Sequence, residues 1–214
     1  MRIRYLKNTE SILGESELII RDPAAQKGMW RALGPGASPG RLCLEIGCGK
    51  GRFIRDMSRK YPQDLWIGAE KISTILARAV KQLDPEIDHN VFLIRQEAEK
   101  LGDCFEEGEI DRIYLNFSDP WPKEKHAKRR LTSERFLPLY RRLLSAKGEI
   151  RLKTDNDALF AYSLLSLAQG GFRVEEQTDD LHHSPWAKEN VMTEYEENFT
   201  RMGKAIHYLR AVPI

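Results

Sequence analysis

The stretch Arg41-Leu42-Cys43-Leu44-Glu45-Ile46-Gly47-Cys48-Gly49-Lys50-Gly51 limits the folds open to this chain more than any other part of it. An apolar run bounded by Pro39-Gly40 on one side and three closely spaced glycines on the other reads as a buried strand turning abruptly into a helix. With no Cβ in the way, Gly47, Gly49 and Gly51 can adopt positive φ and bring the backbone close to a bound group. The helix expected from Arg52 to about Lys60 aims its free N-terminal amides at whatever rests on the loop. A tight turn without a ligand would use glycines in the same way. The acidic residues favour the ligand: Glu45 stands two positions before the first glycine, and Glu70 ends the next expected strand, Leu65 to Glu70.

A dinucleotide fingerprint requires a glycine at position 52, which is Arg52. The pattern present, Glu-x-Gly-x-Gly-x-Gly, resembles the first motif of the S-adenosylmethionine-dependent methyltransferases with a doubly wound sheet. A carboxylate about twenty residues beyond the glycines is placed to accept bonds from the two ribose hydroxyls of a nucleoside.

Beyond this point strands and helices alternate. Ile72 to Leu83 carries apolar residues at a 3.6-residue rhythm and stops at Asp84-Pro85. Val91 to Ile94 is a third strand, followed by Glu97; in a doubly wound sheet Glu45, Glu70 and Glu97 would line one crevice. Ile110 to Phe117 is a fourth strand. Leu131-Thr132-Ser133 reads as an N-cap for a helix with Phe136, Leu139, Tyr140, Leu143 and Leu144 on its apolar face. Gly148 to Thr154 is a fifth strand, Leu159 to Ala168 a helix, Phe172 to Gln177 a sixth strand, and Ala205 to Val212 the last. The expected fold is α/β: a mostly parallel, doubly wound sheet with helices on both faces.

The most unusual segment is Asn116-Phe117-Ser118-Asp119-Pro120-Trp121-Pro122-Lys123-Glu124-Lys125-His126-Ala127-Lys128-Arg129-Arg130. Two prolines flanking a tryptophan exclude continuation of helix or strand and give a rigid loop at the mouth of the crevice. Trp121 is open to two readings, a brace for the loop or a platform for a base; the flanking prolines favour the brace. Net charge is +2, yet Pro122 to Arg142 holds eight Lys or Arg against two Glu, a local balance of +6. The basic charge is concentrated beside that corner. By local chemistry Thr193-Glu194-Tyr195-Glu196 is a capping box opening a helix.

Residues 1 to about 40 have no long periodic pattern, and Gly34-Pro35-Gly36 with Ser38-Pro39-Gly40 marks a loop before the first core strand. Arg2, Arg4 and Lys7 make this lead-in a basic arm, read as a solvated tail or lid ahead of a single domain spanning 41–214. Cys43, Cys48 and Cys104 are odd in number and lack Cys-x-x-Cys spacing, so no metal site or disulfide framework is expected; His182-His183 reads as loop. No apolar run approaches the ~20 residues of a membrane helix, and no secretory core follows Met1, so a cytoplasmic protein is expected.

Taken together, the glycine motif, the Asn116 to Arg130 loop, Lys153-Thr154-Asp155-Asn156 and Thr193-Glu194-Tyr195-Glu196 closely resemble the bacterial tRNA (guanine-N7)-methyltransferases, from about residue 2 to the end of the chain. The resemblance implies a seven-stranded class I methyltransferase sheet with its last strand antiparallel, S-adenosylmethionine as methyl donor, and tRNA as partner of a monomer or homodimer. It implies Glu45, Glu70, Glu97 and Asp119 at the cofactor with Gly47, Gly49 and Gly51, and Asp119 as catalytic residue as well. Lys123, Asp155 and Thr193 through Glu196 match the substrate positions; Lys125, His126, Ala127, Lys128, Arg129 and Arg130 match the segment that meets RNA. Glu97 departs from the shorter Asp or Asn usual there. The implied reaction is methyl transfer to N7 of a guanine in the tRNA variable loop, position 46. A nicotinamide-dependent oxidoreductase on the same sheet is disfavoured by Arg52, and a non-catalytic RNA-binding protein by the intact acidic set.

Overall fold

A computed structural model describes residues 6–36 and 40–214. Arg2 and Arg4 of the basic arm, and Ser38-Pro39 of the expected loop, lie outside the described residues. In chain order the elements are α1 (Thr9–Glu15), β1 (Leu42–Ile46), α2 (Arg52–Lys60), β2 (Leu65–Ala69), α3 (Ser73–Val80), β3 (Val91–Ile94) and α4 (Leu101–Cys104). They continue with β4 (Ile110–Asn116), α5 (Leu137–Leu143), β5 (Leu144–Thr154), α6 (Asp157–Gln169), β6 (Phe172–Thr178), α7 (Glu194–Arg201) and β7 (His207–Pro213).

The strands form one seven-stranded sheet in the order β3-β2-β1-β4-β5-β7-β6. β1 to β5 run parallel, and β7 runs antiparallel between β5 and β6, as expected for the last strand. Side-chain alternation explains the continuous apolar runs. Leu42, Leu44 and Ile46 enter one core layer with Ile113, Leu115, Ile150 and Leu152, while Cys43 enters the opposite layer with residues of α2 and α3. Both faces of the central strands are covered, as parallel sheets require. The order reverses at β1, flanked by β2 and β4, and the carboxyl ends of these three strands bound the crevice where ligands bind in such sheets.

Several boundaries differ from the expectation. β5 begins at Leu144, directly after α5, because Leu144 pairs with Ile110 across a bulge before regular pairing resumes at Glu149 opposite Arg112. The Thr132-Ser133 pair does not cap α5, whose N-cap is Phe136 with Pro138 in its first turn. Their hydroxyls bond elsewhere: Thr132 Oγ1 lies 2.7 Å from Ser163 Oγ on α6, and Ser133 Oγ donates to the Lys128 carbonyl at 3.0 Å.

The solvated tail expected before residue 40 is corrected for much of its length. α1 packs on α3, and Leu18 and Ile20 exchange backbone hydrogen bonds with Leu93 at 2.8 and 3.0 Å, adding a parallel bridge to the outer edge of β3. Trp30 is fully buried, stacks on Phe105 with centroids 5.1 Å apart, and donates its indole N–H to the Cys104 carbonyl at 2.8 Å. The run Leu18-Ile19-Ile20 was the available signal, though three residues are too few for periodicity to speak.

Candidate active site

The glycine loop crosses the end of β2: Gly47 and Cys48 both donate their amides to the Ala69 carbonyl, at 2.8 and 3.1 Å. Gly47 and Gly49 hold positive φ, 78° and 58°. A Cβ on Gly47 would meet nothing within 4 Å, and one on Gly49 only the Gly47 carbonyl at 4.0 Å, so both border open space. Gly51 serves differently. It is the N-cap of α2 at φ 80°, and a Cβ there would come within 3.0 Å of Ala79 Cβ on α3. Two glycines therefore shape a cradle, and the third lets two helices approach.

Glu45 is buried at the crevice floor, where Asn116 Nδ2 donates to its Oε1 at 2.9 Å. Glu45 Oε2 and Asn116 Oδ1 are buried acceptors without a partner among the described residues. Burial raises the Glu45 carboxyl to about 7, against the Asn116 hydrogen bond and the charge of Lys153. Two orphaned acceptors beside an open glycine cradle call for a donor-bearing, preferably cationic ligand. The amino group and ribose hydroxyls of S-adenosylmethionine supply such donors, so the residues present fit that cofactor. Glu70 follows β2 directly; its Oε1 accepts from the Ile72 amide at 2.9 Å, and burial raises its pKa against the backbone bonds from Ile72, Gly49 and Lys71. Glu97 follows β3, exposed, ahead of a short helical turn over Ala98–Lys100. Glu45, Glu70 and Glu97 thus stand at the carboxyl ends of three adjacent strands.

β4 delivers the proline corner to the same edge. Phe117 and Trp121 hold positive φ, 50° and 42°, each costing ~1–3 kcal/mol in a residue with a side chain. Asp119 is exposed between them. Arg130 donates from Nε to the Pro120 carbonyl at 3.0 Å and from Nη2 to the Trp121 carbonyl at 3.1 Å. The Arg129 guanidinium lies 4.9 Å from the Trp121 ring centroid, with the His126 ring edge-on to Trp121 at 5.8 Å. Trp121 is gripped from several sides, which suits the brace. After the second proline the chain does coil, over a 3-10 turn at Glu124–Arg129, where a shaped loop was expected. Lys123 and Lys125 are exposed, as is Lys128, which pairs with Glu134 at 3.6 Å. Ala127 is half-buried.

The capping box at Thr193 is present: the Glu196 amide donates to Thr193 Oγ1 at 2.9 Å, and the Thr193 amide to Glu196 Oε2 at 3.3 Å. Glu196 is fully buried and also accepts from Lys153 Nζ at 2.6 Å and from Asn190 Nδ2, with His182 Nε2 at 2.9 Å. Burial pushes the Glu196 carboxyl upward, but Lys153, Asn190 and His182 outweigh it and hold the pKa below the usual carboxylate range. Thr193 and Glu196 are thus consumed in holding α7, whereas Tyr195 is exposed. Lys50 bonds Glu194 at 2.7 Å and Arg52 pairs with Glu197, so α7 is tied to the glycine loop as well. Asp155, half-buried after β5, lies 3.3 Å from Lys204 Nζ.

Sequence reasoning left Asn116, Lys153, His182 and Asn190 out of the candidate set. Lys153 near the end of the expected fifth strand, in a sheet covered by helices on both faces, was a usable signal, since a buried ammonium demands acceptors. The pairing of His182 and Asn190 with a carboxylate on α7 had no local signature. Among the described residues no cluster of His, Cys, Asp and Glu could hold a metal, and no helix is long and apolar enough to cross a membrane.

Fold and crevice define a methyltransferase of the doubly wound class. A family model described as a putative methyltransferase matches residues 39–209. Among solved structures the chain is similar to one titled an antibiotic related methyltransferase (TM-score 0.60, 15% identity, covering 100% of this chain and 97% of that one). It is equally similar to a 16S rRNA (adenine(1408)-N(1))-methyltransferase variant with cosubstrate SAM from Catenulisporales acidiphilia (TM-score 0.60, 15% identity, 91% and 92% covered). Those likenesses establish the fold alone. By sequence it is 41% identical over 211 residues to a tRNA (guanine-N(7)-)-methyltransferase of Lachnoclostridium phytofermentans, covering 99% of this chain and 98% of the relative. It is 45% identical over 203 residues to that of Geobacillus thermodenitrificans, covering 95% and 93%. The chain belongs to the bacterial tRNA (guanine-N7-)-methyltransferase family.

Proposed function

We propose that the protein transfers a methyl group from S-adenosylmethionine to N7 of guanine 46 in the variable loop of tRNA, in the cytoplasm. The observation that carries this reading is the juxtaposition, on neighbouring strands, of orphaned acceptors at Glu45 and Asn116 beside an open glycine cradle with a strained corner presenting an exposed Asp119. The cofactor supplies an electrophilic methyl on a sulfonium. Gly47 and Gly49 give it room, Glu45 and Asn116 accept from its donors, and Glu70 and Glu97 stand at the strand ends where ribose and adenine are held in such sheets.

Guanine N7 carries an in-plane lone pair and is unprotonated at neutral pH, so no general base is needed. The work falls on positioning, which can supply ~7 to 11 kcal/mol. Asp119 accepts two hydrogen bonds from the N1–H and 2-amino group of guanine, a pairing adenine cannot offer. Its charge also stabilises the positive charge growing on the ring as the methyl arrives. Asp119 thereby serves the cofactor side and the base at once. Lys123, Lys125 and Lys128 meet phosphates, and structured RNA is recognised largely by shape. By the family resemblance Asp155, Glu194 and Tyr195 take the substrate side, and Thr193 with Glu196 holds the start of α7 that carries two of them. Single-turnover transfer of labelled methyl to an unmodified tRNA transcript tests the assignment. Asp119→Asn is expected to slow it on the order of 10²-fold or more, the loss seen when one transition-state contact is removed; a wild-type rate in that variant overturns the role given to Asp119.

A further inference from the structure

Resting on the proposed methyl transfer, and deepening it, we infer that Arg130 is a positioning residue for Asp119 rather than a phosphate ligand. Arg130 sits in the basic segment that the family resemblance assigns to RNA, and its charge alone invites that role. Its geometry does not. The guanidinium uses two parallel donors, Nε and Nη2, on the adjacent carbonyls of Pro120 and Trp121, at 3.0 and 3.1 Å. This is the fork by which arginine grips paired acceptors. The flat face of the same group is covered by the Tyr162 ring on α6, 4.3 Å from Cζ to centroid. Edge and face are both engaged within the protein.

The carbonyls so held have few other sources of donors. Pro120 and Pro122 have no amide hydrogen, and Trp121 between them is kept at φ 42°, a conformation that reverts unless its surroundings hold it. Asp119 is joined directly to Pro120, whose ring restricts the backbone of the residue before it. Fixing the Pro120 carbonyl therefore fixes the backbone of Asp119 one peptide away. α6 supplies the rigid reference: its N-terminus is capped by Asn156, which accepts from the Leu159 amide at 2.8 Å, and Ser163, one residue beyond Tyr162, bonds Thr132 at 2.7 Å. Two rivets one residue apart on α6 thus hold the segment that carries the clamp. Lys123 and Lys125 differ, being exposed.

The test compares wild type, Arg130→Lys, Arg130→Met and Tyr162→Ala for single-turnover methyl transfer at saturating tRNA and for tRNA dissociation constants across a salt series. Lysine is a competent phosphate ligand but has no fork, so it separates the two roles. The inference predicts that Arg130→Lys slows methyl transfer on the order of 10²-fold, the cost of a misplaced reacting group, while tRNA affinity and its salt slope stay at wild-type values. Tyr162→Ala, outside the crevice, is expected to slow transfer about fivefold in the same direction. Wild-type transfer in Arg130→Lys overturns the inference. So does an Arg130→Met variant whose salt slope falls by about one while its transfer rate is unchanged. If thermal melting shows that the Arg130 variants do not fold, Tyr162→Ala decides alone, and a wild-type rate there overturns the inference. A wild-type protein that transfers no methyl to tRNA defeats the proposed function and this inference with it; active wild type with unaffected variants defeats this inference only.

Discussion

Replacing Lys153 with Met tests how the crevice wall is held together. The Lys153 side chain is 6% exposed, and its ammonium spends all three hydrogens on protein acceptors: Glu196 Oε2 at 2.6 Å, the Val191 carbonyl at 2.9 Å and Asn190 Oδ1 at 3.0 Å. Methionine matches the stem but leaves a fully buried carboxylate without its cation, bonded only by Asn190, His182 and the Thr193 amide, with two further acceptors losing the Lys153 donor. Breaking such a pair from one side costs ~3–5 kcal/mol. For a domain of this size each kcal/mol moves the melting temperature by about 2–4 °C, so a fall of roughly 6–20 °C is expected. Thermal unfolding followed by circular dichroism measures it. The double variant Lys153→Met/Glu196→Gln removes both charges and should recover part of the loss, giving a coupling of at least ~1 kcal/mol in the four-protein cycle. A Lys153→Met protein melting within about 2 °C of wild type, or a cycle in which the two substitutions simply add, would refute the reasoning.

Two other outcomes follow from the cradle. In the free protein Glu45 titrates near pH 7 because burial raises it, so it is ionised above that pH and neutral below. Binding of a cationic cofactor should therefore weaken by up to tenfold per unit as pH falls below about 7, and titration calorimetry of Glu45→Gln should show weaker but pH-independent binding. The same raised pKa makes the carboxyl a stabilising group at low pH whose contribution is lost as pH rises from about 4.5 through about 7, so cofactor-free Glu45→Gln should melt higher than wild type at pH 8. Gly49→Ala places a methyl in open space at a φ that alanine reaches for ~1–2 kcal/mol, so it should lower cofactor affinity more than tenfold with a modest loss of stability. Gly51→Ala, driven against Ala79, should do the reverse; equal effects of the two on cofactor binding would contradict the division of labour among the glycines.

Where burial is continuous and periodic, the chain announces its structure. β1, α2 and β3 fall on the expected residues because an apolar run between turn residues, or a 3.6-residue stripe, leaves little choice. The acidic residues at the strand ends were legible for the same reason, since a parallel sheet sends successive strand ends to one edge. What stayed hidden depends on residues distant in sequence. Trp30 is bound by Cys104 and Glu109, whose distance along the chain no local pattern encodes. Thr132 looks like a helix cap until Ser163 is brought beside it. Glu196 satisfies a capping box in the sequence, and only the fold shows that the same carboxylate closes on Lys153, 43 residues away. Arg130 was counted with its basic neighbours because composition does not distinguish a charge facing solvent from one folded back onto carbonyls.

The most direct test of the account is the position of the transferred methyl. After incubation of the protein with S-adenosylmethionine and an unmodified tRNA transcript, chemical cleavage at N7-methylguanine should cut the RNA once, in the variable loop at guanine 46, and a transcript carrying adenine there should neither accept methyl nor be cut. Methylation at another atom or another guanine, or none at all, would contradict it.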